Sequence, residues 1–344
     1  MFKRSILITL MGIGIFIPIS PLKAQENCGG AIVNAKSLYE LGKLNEVISE
    51  LNPCLTHSLD RTNLWQGYKL KALAYLALND KDNARRAAED MLEINPLFKP
   101  SLLKDPKDFV ELVNSIVIIP RFSLGISLAG GINNTYVDVM QSHTLTNDAK
   151  SYTNKLGWHS GFNVGYNISR NLEIGANILS SSKNYQVNFE TAGYKISVNE
   201  KLSYLEVPIL LKYSFLKSRL RPYVEAGAFG GYLLAANSDF KSTYTDGTVY
   251  SENNVSSDDR RNKTNFGLLF GAGLTYKTGP GGQLVLDIRY CMGLSNIVNT
   301  ANRYADESVY FPYYYIDDDL RISNSLISIG YVKYINYKVV RSNH

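Results

Sequence analysis

The fold is decided by the stretch LGWHSGFNVGYNISRNLEIGANILSSS, residues 156–182 of this 344-residue chain. Apolar residues alternate there with small or polar residues on both sides of a short polar segment, residues 169–171. Alternation with a period of two is typical of β-strands with one apolar face, so the stretch predicts two antiparallel strands joined by a tight turn. The same pattern begins at Arg121 and continues almost to the C-terminus.

Continued along the chain, the pattern predicts eight strands, at residues 121–132, 156–168, 172–190, 194–215, 222–236, 263–277, 283–297 and 322–338. Short turns alternate with long polar loops at 133–155, 237–262 and 298–321, while the strands beside the short connection at 191–193 are expected to project beyond the membrane as a hairpin. An open sheet in lipid would leave backbone groups unpaired at its edges. The sequence therefore predicts an all-β transmembrane barrel of eight antiparallel strands in up-and-down order.

Charged residues within the strands fit one common register. When the apolar residues face lipid, the charged residues placed in these stretches face the interior: Glu173, Glu206, Lys212, Glu225, Asp287 and Arg289. A charge that faces lipid at mid-depth would cost about 2–4 kcal/mol. Because side chains can just fill an eight-stranded interior, we expect a hydrogen-bonded polar network that plugs the barrel. A narrow conducting path is the alternative. Cys291 also faces inward and is expected to be inert.

The first 24 residues have the three parts of a secretory signal peptide. Lys3 and Arg4 form a basic start, an apolar run follows, and Ala24 precedes a cleavage position. The apolar run is shorter than the about 20 residues that a spanning helix needs, and an uncleaved anchor is the alternative. Loss of Lys3, Arg4 and Lys23 lowers the formal charge from +5 to +2, which gives no electrostatic basis for binding nucleic acid.

Residues 25–118 form a second part in which apolar residues recur at helical spacing. Export leads to an oxidising compartment, so we expect a disulfide between Cys28 and Cys54, with two buried thiols as the alternative. The segments repeat with an offset of 37, which aligns Ala35 with Ala72 and the turn at residues 42–43 with the turn at 79–80.

This helical part resembles a pair of tetratricopeptide repeats. The positions that carry the resemblance are Tyr68, Ala72, Tyr75, Ala84 and Pro96. It implies a small all-α helical-repeat domain, closed by a further helix that begins near Pro106. It also implies that the concave face binds a protein segment. A spacer without a ligand is the alternative.

Three strands carry a resemblance to a known family: YLEVPILLKYSF at 204–215, RPYVEAGAFGGYLL at 221–234 and TNFGLLFGAGLTYK at 264–277. They resemble the small eight-stranded outer-membrane β-barrel domains, over residues of about 120–340. The resemblance implies a bacterial outer-membrane location and contact with membrane lipid, with short turns in the periplasm and long loops outside. The predicted division is a signal peptide at 1–24, a periplasmic helical domain at 25–118 and a barrel at 119–344.

The last long loop combines clustered aromatic residues with an acidic run. The aromatic residues are Tyr304, Tyr310, Phe311, Tyr313, Tyr314 and Tyr315. They favour recognition of a surface sugar or protein, or else packing of the loop onto the barrel rim. The run at residues 317–319 could bind a divalent cation, although a solvated acidic run is the more typical interpretation.

The sequence gives little support for a catalytic site. His143 and His159 could lie near Asp138 or Asp258 at the outer rim, but nothing in their spacing requires it. We therefore expect no enzyme activity, no cofactor and no metal. The expected function is an outer-membrane anchor or scaffold that binds a periplasmic or envelope protein, and a secretion-complex subunit is one version that the family resemblance implies. A small-solute channel is the alternative.

Overall fold

The computed structural model describes residues 25–55, 60–141, 150–191, 193–215, 218–304, 313 and 315–341. The chain divides into two compact units between Ile116 and Val117, two residues before the expected boundary. The first unit is helical and the second is a β-sheet closed on itself. In the described part of the chain, no helix has the length and apolar character needed to cross a membrane.

The helical unit contains five helices in the described residues: α1 Gln25–Glu40, α2 Leu44–Leu51, α3 Arg61–Ala77, α4 Lys81–Ile94 and α5 Lys107–Ser115. α3 and α4 each begin at an aspartate, Asp60 and Asp80, whose carboxylate accepts a hydrogen bond from the backbone N–H three residues later. Such caps satisfy donors that the first turn of a helix leaves open.

The sequence repeat appears in the structure as two turns with the same hydrogen bonds. After α1, the N–H groups of Leu41, Gly42 and Lys43 bond to the carbonyls of residues 37, 39 and 38. After α3, residues 78, 79 and 80 make the same three bonds, each shifted by 37 positions. Gly42 and Asn79 both have positive φ angles, 74° and 61°, which end the two helices in the same way.

Small residues let the helices of the unit approach each other closely. Ala35, Ala72 and Ala84 are fully buried, and Tyr68 packs partly buried against the cluster around Leu51. Cys28 in α1 and Cys54 after α2 form the expected disulfide, with Cα atoms 5.4 Å apart. The bond therefore links the two helices of the first pair covalently, at the N-terminal end of the stack.

We expect the double substitution Cys28→Ser and Cys54→Ser to lower the free energy of unfolding of the helical unit by about 3 kcal/mol. The reason is that a bond between residues 26 positions apart restricts the unfolded chain. Urea unfolding of the full chain, followed by the fluorescence of Trp65, measures this effect. A Trp158→Phe background leaves Trp65 as the remaining tryptophan of the two. Cys291→Ser is the control, and an equal urea midpoint for all three proteins would contradict the prediction.

The second unit contains nine strands in the described residues: β1 Val117–Val139, β2 Ser151–Asn167, β3 Leu172–Thr191, β4 Tyr194–Ser214, β5 Leu220–Tyr244, β6 Val249–Ser256, β7 Thr264–Gly279, β8 Gly282–Gly293 and β9 Asp319–Val340. Eight of them form a closed antiparallel ring, in which β5 pairs with β4 on one side and β7 on the other, and β1 pairs with β9. The predicted fold class, an eight-stranded up-and-down barrel, is confirmed.

β6 corrects the expectation of a long polar loop at residues 237–262. β5 continues to Tyr244 and turns at Gly247, whose φ is +87°, and β6 returns along its outer part. The Asp246 carboxylate accepts a hydrogen bond from the N–H of Thr248 and so holds the turn. Aspartate followed by glycine is a strong hairpin signal, and the sequence interpretation passed over it.

The outer surface of the ring is apolar over a continuous belt. Ile174 and Ile178 on β3, Val207 and Ile209 on β4, and Ile288 on β8 are all exposed. Their neighbours along each strand point inward, and Glu206, Glu225 and Asp287 are buried. The predicted assignment of faces is therefore the observed one in these strands. A wall with an apolar outside and charges inside fits a barrel that crosses a membrane.

Candidate functional site

The half of the barrel interior next to the short turns, which we call the lower half, is organised around one guanidinium. Arg289 on β8 lies 2.7 Å from a carboxylate oxygen of Glu225 on β5 and 3.0 Å from one of Asp287. The hydroxyl of Tyr223 donates a hydrogen bond of 2.8 Å to Asp287. The Lys212 ammonium lies 4.0 Å from the centre of the Tyr223 ring. Arg289 thus neutralises two buried carboxylates at once, which its planar fork of donors suits.

Glu173 also belongs to this lower group. It faces Lys212 across the β3–β4 pair, and both residues line a cavity of about 50 Å³ together with Glu225 and Arg289. A water needs about 10–15 Å³ of such volume, so the cavity has room for about four waters. The six residues predicted to form the interior polar network all lie inside the barrel, but Glu206 lies in a separate group higher up.

The upper group contains Lys183, Glu206 and His159. Lys183 Nζ lies 2.6 Å from a Glu206 carboxylate oxygen, and Nδ1 of His159 lies 3.7 Å from the other oxygen. All three side chains are buried, and the Lys183 ammonium also faces the rings of Tyr204 and Phe229 at 5.4 and 5.0 Å. His159 is therefore an interior residue and not part of an outer-rim catalytic arrangement.

Apolar side chains fill the interior between the two charged groups. Leu210 lies between Glu206 and Lys212 on β4, and Phe229 lies beyond Glu225 on β5. They pack in one buried cluster with Ala129, Leu269, Cys291 and Leu326. A second cavity beside this cluster has a volume of about 10 Å³, room for about one water.

The outer end of the barrel is covered by a second apolar core, which we call the outer cap. It consists of buried side chains from the outer parts of the strands and from the last long loop: Tyr185, Val187, Phe189, Ile196, Val198, Leu202, Tyr204, Leu233, Ala236, Phe240, Ile297, Val298, Tyr313, Tyr315, Leu320 and Ile322. Within the described residues of the long loop, Val298, Tyr313 and Tyr315 pack onto the outer parts of the strands.

A buried ion network runs through the outer cap. Arg261 is 1% exposed, and its guanidinium lies 2.8 Å from Glu200 and 2.8 Å from Asp317. Arg260 lies 3.2 Å from the other oxygen of Asp317. The hydroxyls of Ser238 and Ser257 donate hydrogen bonds of 2.5 and 2.7 Å to Glu200. The network ties together β4, β5, the connection between β6 and β7 and the connection between β8 and β9.

The acidic run at residues 317–319 is neither solvated nor a cation site. Asp317 is held by Arg260 and Arg261, while Asp318 is 2.7 Å from Lys150 Nζ and accepts a hydrogen bond of 2.6 Å from the Tyr152 hydroxyl. Asp319 pairs with Arg303 and accepts a hydrogen bond from Asn296. Across the described residues, no cluster of histidine, cysteine and carboxylate side chains could hold a metal ion.

Asp317 shows how the cap balances burial against charge. Burial alone would raise the pKa of its carboxyl, but the charges of Arg261 and Arg260 outweigh burial and hold the pKa at about 2. A depressed pKa adds stability at pH values above the ordinary value of 3.8, and that stability is lost as the pH falls towards 2. The cap therefore keeps this contribution throughout the neutral range.

The predicted aromatic loop divides into three groups. Tyr313 and Tyr315 are buried in the outer cap, where both rings lie against Phe240. Tyr304 is exposed. Tyr310, Phe311 and Tyr314 lie outside the described residues, as does His143. For Tyr313 and Tyr315, the geometry matches the packing alternative.

The other acids considered for catalysis have different roles. Asp138 forms an ion pair with Arg321, and the Asp258 carboxylate accepts a hydrogen bond from the Ala236 N–H. The sequence interpretation missed Lys183, Glu200, Arg260 and Arg261. Lys183 and Glu200 follow the inward phase of β3 and β4, so a longer extension of the alternation would have found these two.

A closed ring with an apolar belt, interior ion pairs and a covered outer mouth defines a small transmembrane β-barrel. Residues 121–299 match the family described as outer membrane protein beta-barrel domain. The match covers more than half of the chain, and the protein belongs to this family. Membership implies the bacterial outer membrane and contact of the belt with its lipid.

Solved structures of small barrels are similar to this chain at low identity. OprG from Pseudomonas aeruginosa is 12% identical with a TM-score of 0.36, over 63% of this chain and 96% of that chain. Neisserial surface protein A is 14% identical with a TM-score of 0.31, over 62% and 97%. Ail of Yersinia pestis is 14% identical with a TM-score of 0.28, over 62% and 99%. At these values the similarities say nothing about function. No curated protein gives a significant match.

We expect Arg261→Ala to destabilise the outer cap by about 3–5 kcal/mol, because it leaves the buried Glu200 without a basic partner and Asp317 with Arg260 alone. Proteinase K added to intact cells should then cleave within the outer parts of β3–β6, where the unaltered protein resists. Lys195→Ala, which removes an exposed ion pair with Glu190, is the matched control and should leave the digestion unchanged.

Neutralising the carboxylate that loses its partner provides the second arm of this test. The double variant Arg261→Met and Glu200→Gln should regain much of the resistance, because Asp317 keeps its ion pair with Arg260 and no unpaired charge stays buried. Digestion of Arg261→Ala at the rate of the unaltered protein would show that the network does not hold the cap.

Proposed function

We propose that this protein is a non-enzymatic outer-membrane anchor whose helical unit lies in the periplasm and binds a protein of the cell envelope. The observation that carries the proposal is the packed barrel interior: ion pairs, an apolar layer and the outer cap follow one another along the described strands, and the cavities beside them have room for only a few waters. A barrel filled in this way serves best as an anchor, and the separate helical unit is then the part that is free to bind.

Strand order supports the periplasmic side for the helical unit. Phe122, near the start of β1, pairs with Tyr166, one residue before β2 ends at Asn167. β1 therefore enters the barrel at the end that carries the short turns. Barrels of this class keep their short turns in the periplasm. Residues 1–24, with the features of a signal peptide, fit the same route of export.

The form of the helical unit supports protein binding. Two helix pairs repeat with matching turns, Ala72 and Ala84 are buried between α3 and α4, and α5 follows the second pair. Repeats of helix pairs expose a concave face that is lined by the first helix of each pair, here α1 and α3. The tetratricopeptide resemblance at Tyr68, Tyr75 and Pro96 points to an extended protein segment as the ligand.

A small-solute channel is the competing function, and we expect the purified barrel to give no steady conductance in planar bilayers. The two cavities described above, which the described interior residues line, have volumes of about 50 and 10 Å³ and are too small for a solute. Arg289→Ala should add at most brief openings, because Glu225 and Asp287 would then draw water into the lower half. Steady conductance that Arg289→Ala or Glu225→Ala changes in size or selectivity would favour the channel.

We expect a photoreactive residue at Gln66, exposed on α3, to crosslink one dominant envelope protein in intact cells. The matched control is the same residue at Arg86, which is exposed on α4, the second helix of the pair. A partner held in the concave face contacts Gln66 and not Arg86, so the two positions should give different products by mass spectrometry. Equal labelling at both positions, or no product at either, would indicate that the helical unit is a spacer that binds no protein in its concave face.

A further inference from the structure

Two adjacent leucines in the helical unit lie uncovered between α4 and α5. Leu102 is 70% exposed and Leu103 is 95% exposed. Single exposed apolar residues are ordinary on protein surfaces, whereas two adjacent exposed leucines on an ordered turn form a small apolar patch that a partner surface could cover. Leu97, a few residues earlier in the sequence, is also exposed.

The turn that carries the leucines is firmly built. The buried carboxylate of Asp105 accepts a hydrogen bond of 2.9 Å from the Ser101 N–H and lies 2.6 Å from Lys69 Nζ. The N–H groups of Lys104 and Asp105 both donate to the Ser101 carbonyl, at 2.9 and 2.8 Å. The backbone therefore closes beneath Leu102 and Leu103 and holds both side chains outward.

Lysines lie on both sides of the two leucines in the sequence. Lys99, Lys104 and Lys107 are all exposed, and among the described residues only Lys107 has an acidic side chain at ion-pair distance, Glu111 at 3.8 Å. Apolar side chains flanked by lysines are complementary to a bilayer surface, where the chains enter the acyl boundary and the ammonium groups meet lipid phosphates. A protein partner would not require the flanking lysines.

The chain keeps this turn near the membrane. Leu103 precedes the start of β1 at Val117 by 14 residues, nine of which form α5. A nine-residue helix spans about 14 Å and the other residues extend at most about 17 Å, so the tether is no longer than about 30 Å. A membrane surface at the start of β1 is therefore within reach of this tether.

We propose that Leu102 and Leu103 insert into the periplasmic leaflet of the outer membrane and that Lys99, Lys104 and Lys107 bind its anionic headgroups. The contact would fix the helical unit against the bilayer. This inference rests on the proposed periplasmic location of the helical unit.

The test uses the full chain in vesicles of phosphatidylethanolamine and phosphatidylglycerol. Leu103→Cys carries an NBD fluorophore, and Leu41→Cys, 69% exposed beside Glu40, carries it in the matched control. Cys28 and Cys54 are bonded and Cys291 is buried, so the label goes to the introduced thiol. Quenchers attached to lipid acyl chains should remove about half of the emission at position 103 and little at position 41, since interfacial insertion reaches about 5–10 Å.

Other outcomes overturn the proposal. Equal quenching of both positions by aqueous iodide would show that Leu103 stays in water. Protection of Leu103 from iodide without quenching by lipid would show a protein contact instead. Loss of lipid quenching in Lys99→Glu with Lys104→Glu is expected, and full quenching in that variant would contradict the role of the lysines.

Sidedness is measured separately in cells. A membrane-impermeant thiol reagent should label Leu41→Cys only after the outer membrane is permeabilised. Labelling in intact cells would overturn the periplasmic location itself, whatever the quenching result in vesicles, so the two proposals fail in distinguishable ways.

Discussion

The closing of the ring between β1 and β9 is the constraint on which the barrel depends. The two strands stay in register from Phe122 opposite Ile335 to Val137 opposite Leu320. Within lipid, a free strand edge would leave N–H and C=O groups without water, at a cost of several kcal/mol for each group. Closure removes the edge, but it also forces every second side chain of the wall into a narrow interior.

Filling that interior explains the two arginine centres. Inward positions must be occupied without voids, and each buried charge needs a partner to offset its loss of hydration. Arg289 meets this need for Glu225 and Asp287, and Arg261 meets it for Glu200 and Asp317. In each case one guanidinium serves two carboxylates from different strands or loops. Each centre therefore also holds its strands and loops together, because their separation would leave buried charges without partners in a poorly hydrated place.

The outer cap follows from a change of surroundings along the same strands. On β4 the odd-numbered apolar residues Leu205, Val207 and Ile209 face outward, whereas the even-numbered Ile196, Val198 and Leu202 face inward. On β3 the inward and outward positions also keep one alternation, but the apolar residues move from the outward positions of Ile174 and Ile178 to the inward positions 185, 187 and 189. Inside the membrane the apolar residues must meet lipid, and beyond the membrane they must avoid water. The move of the apolar residues from outward to inward positions marks where each strand leaves the bilayer.

The move of apolar residues from outward to inward positions also decides how much the sequence could predict. The eight-strand ring and the inward position of Glu225 and Arg289 follow from one fixed alternation, since lipid imposes a single rule on all strands. β6 and the cap do not follow, because there the rule reverses and the outer strands look like polar loops. The pairing of Asp317 with Arg261, 56 residues apart, depends on the path of two long connections. Neither alternation nor local propensity encodes such a path.

The helical unit is closed at both ends of its stack by different means. At the first pair, the disulfide from Cys28 to Cys54 holds α1 against the end of α2. At the second pair, α5 brings Phe109 against Phe98 and the Lys69 ammonium, which lies 5.1 and 5.7 Å from the two ring centres. Stacks of so few repeats need closed ends to be stable, because their terminal faces would otherwise be wet. Once both ends are closed, the lateral surface of the helices is the part of the unit that stays open to solvent.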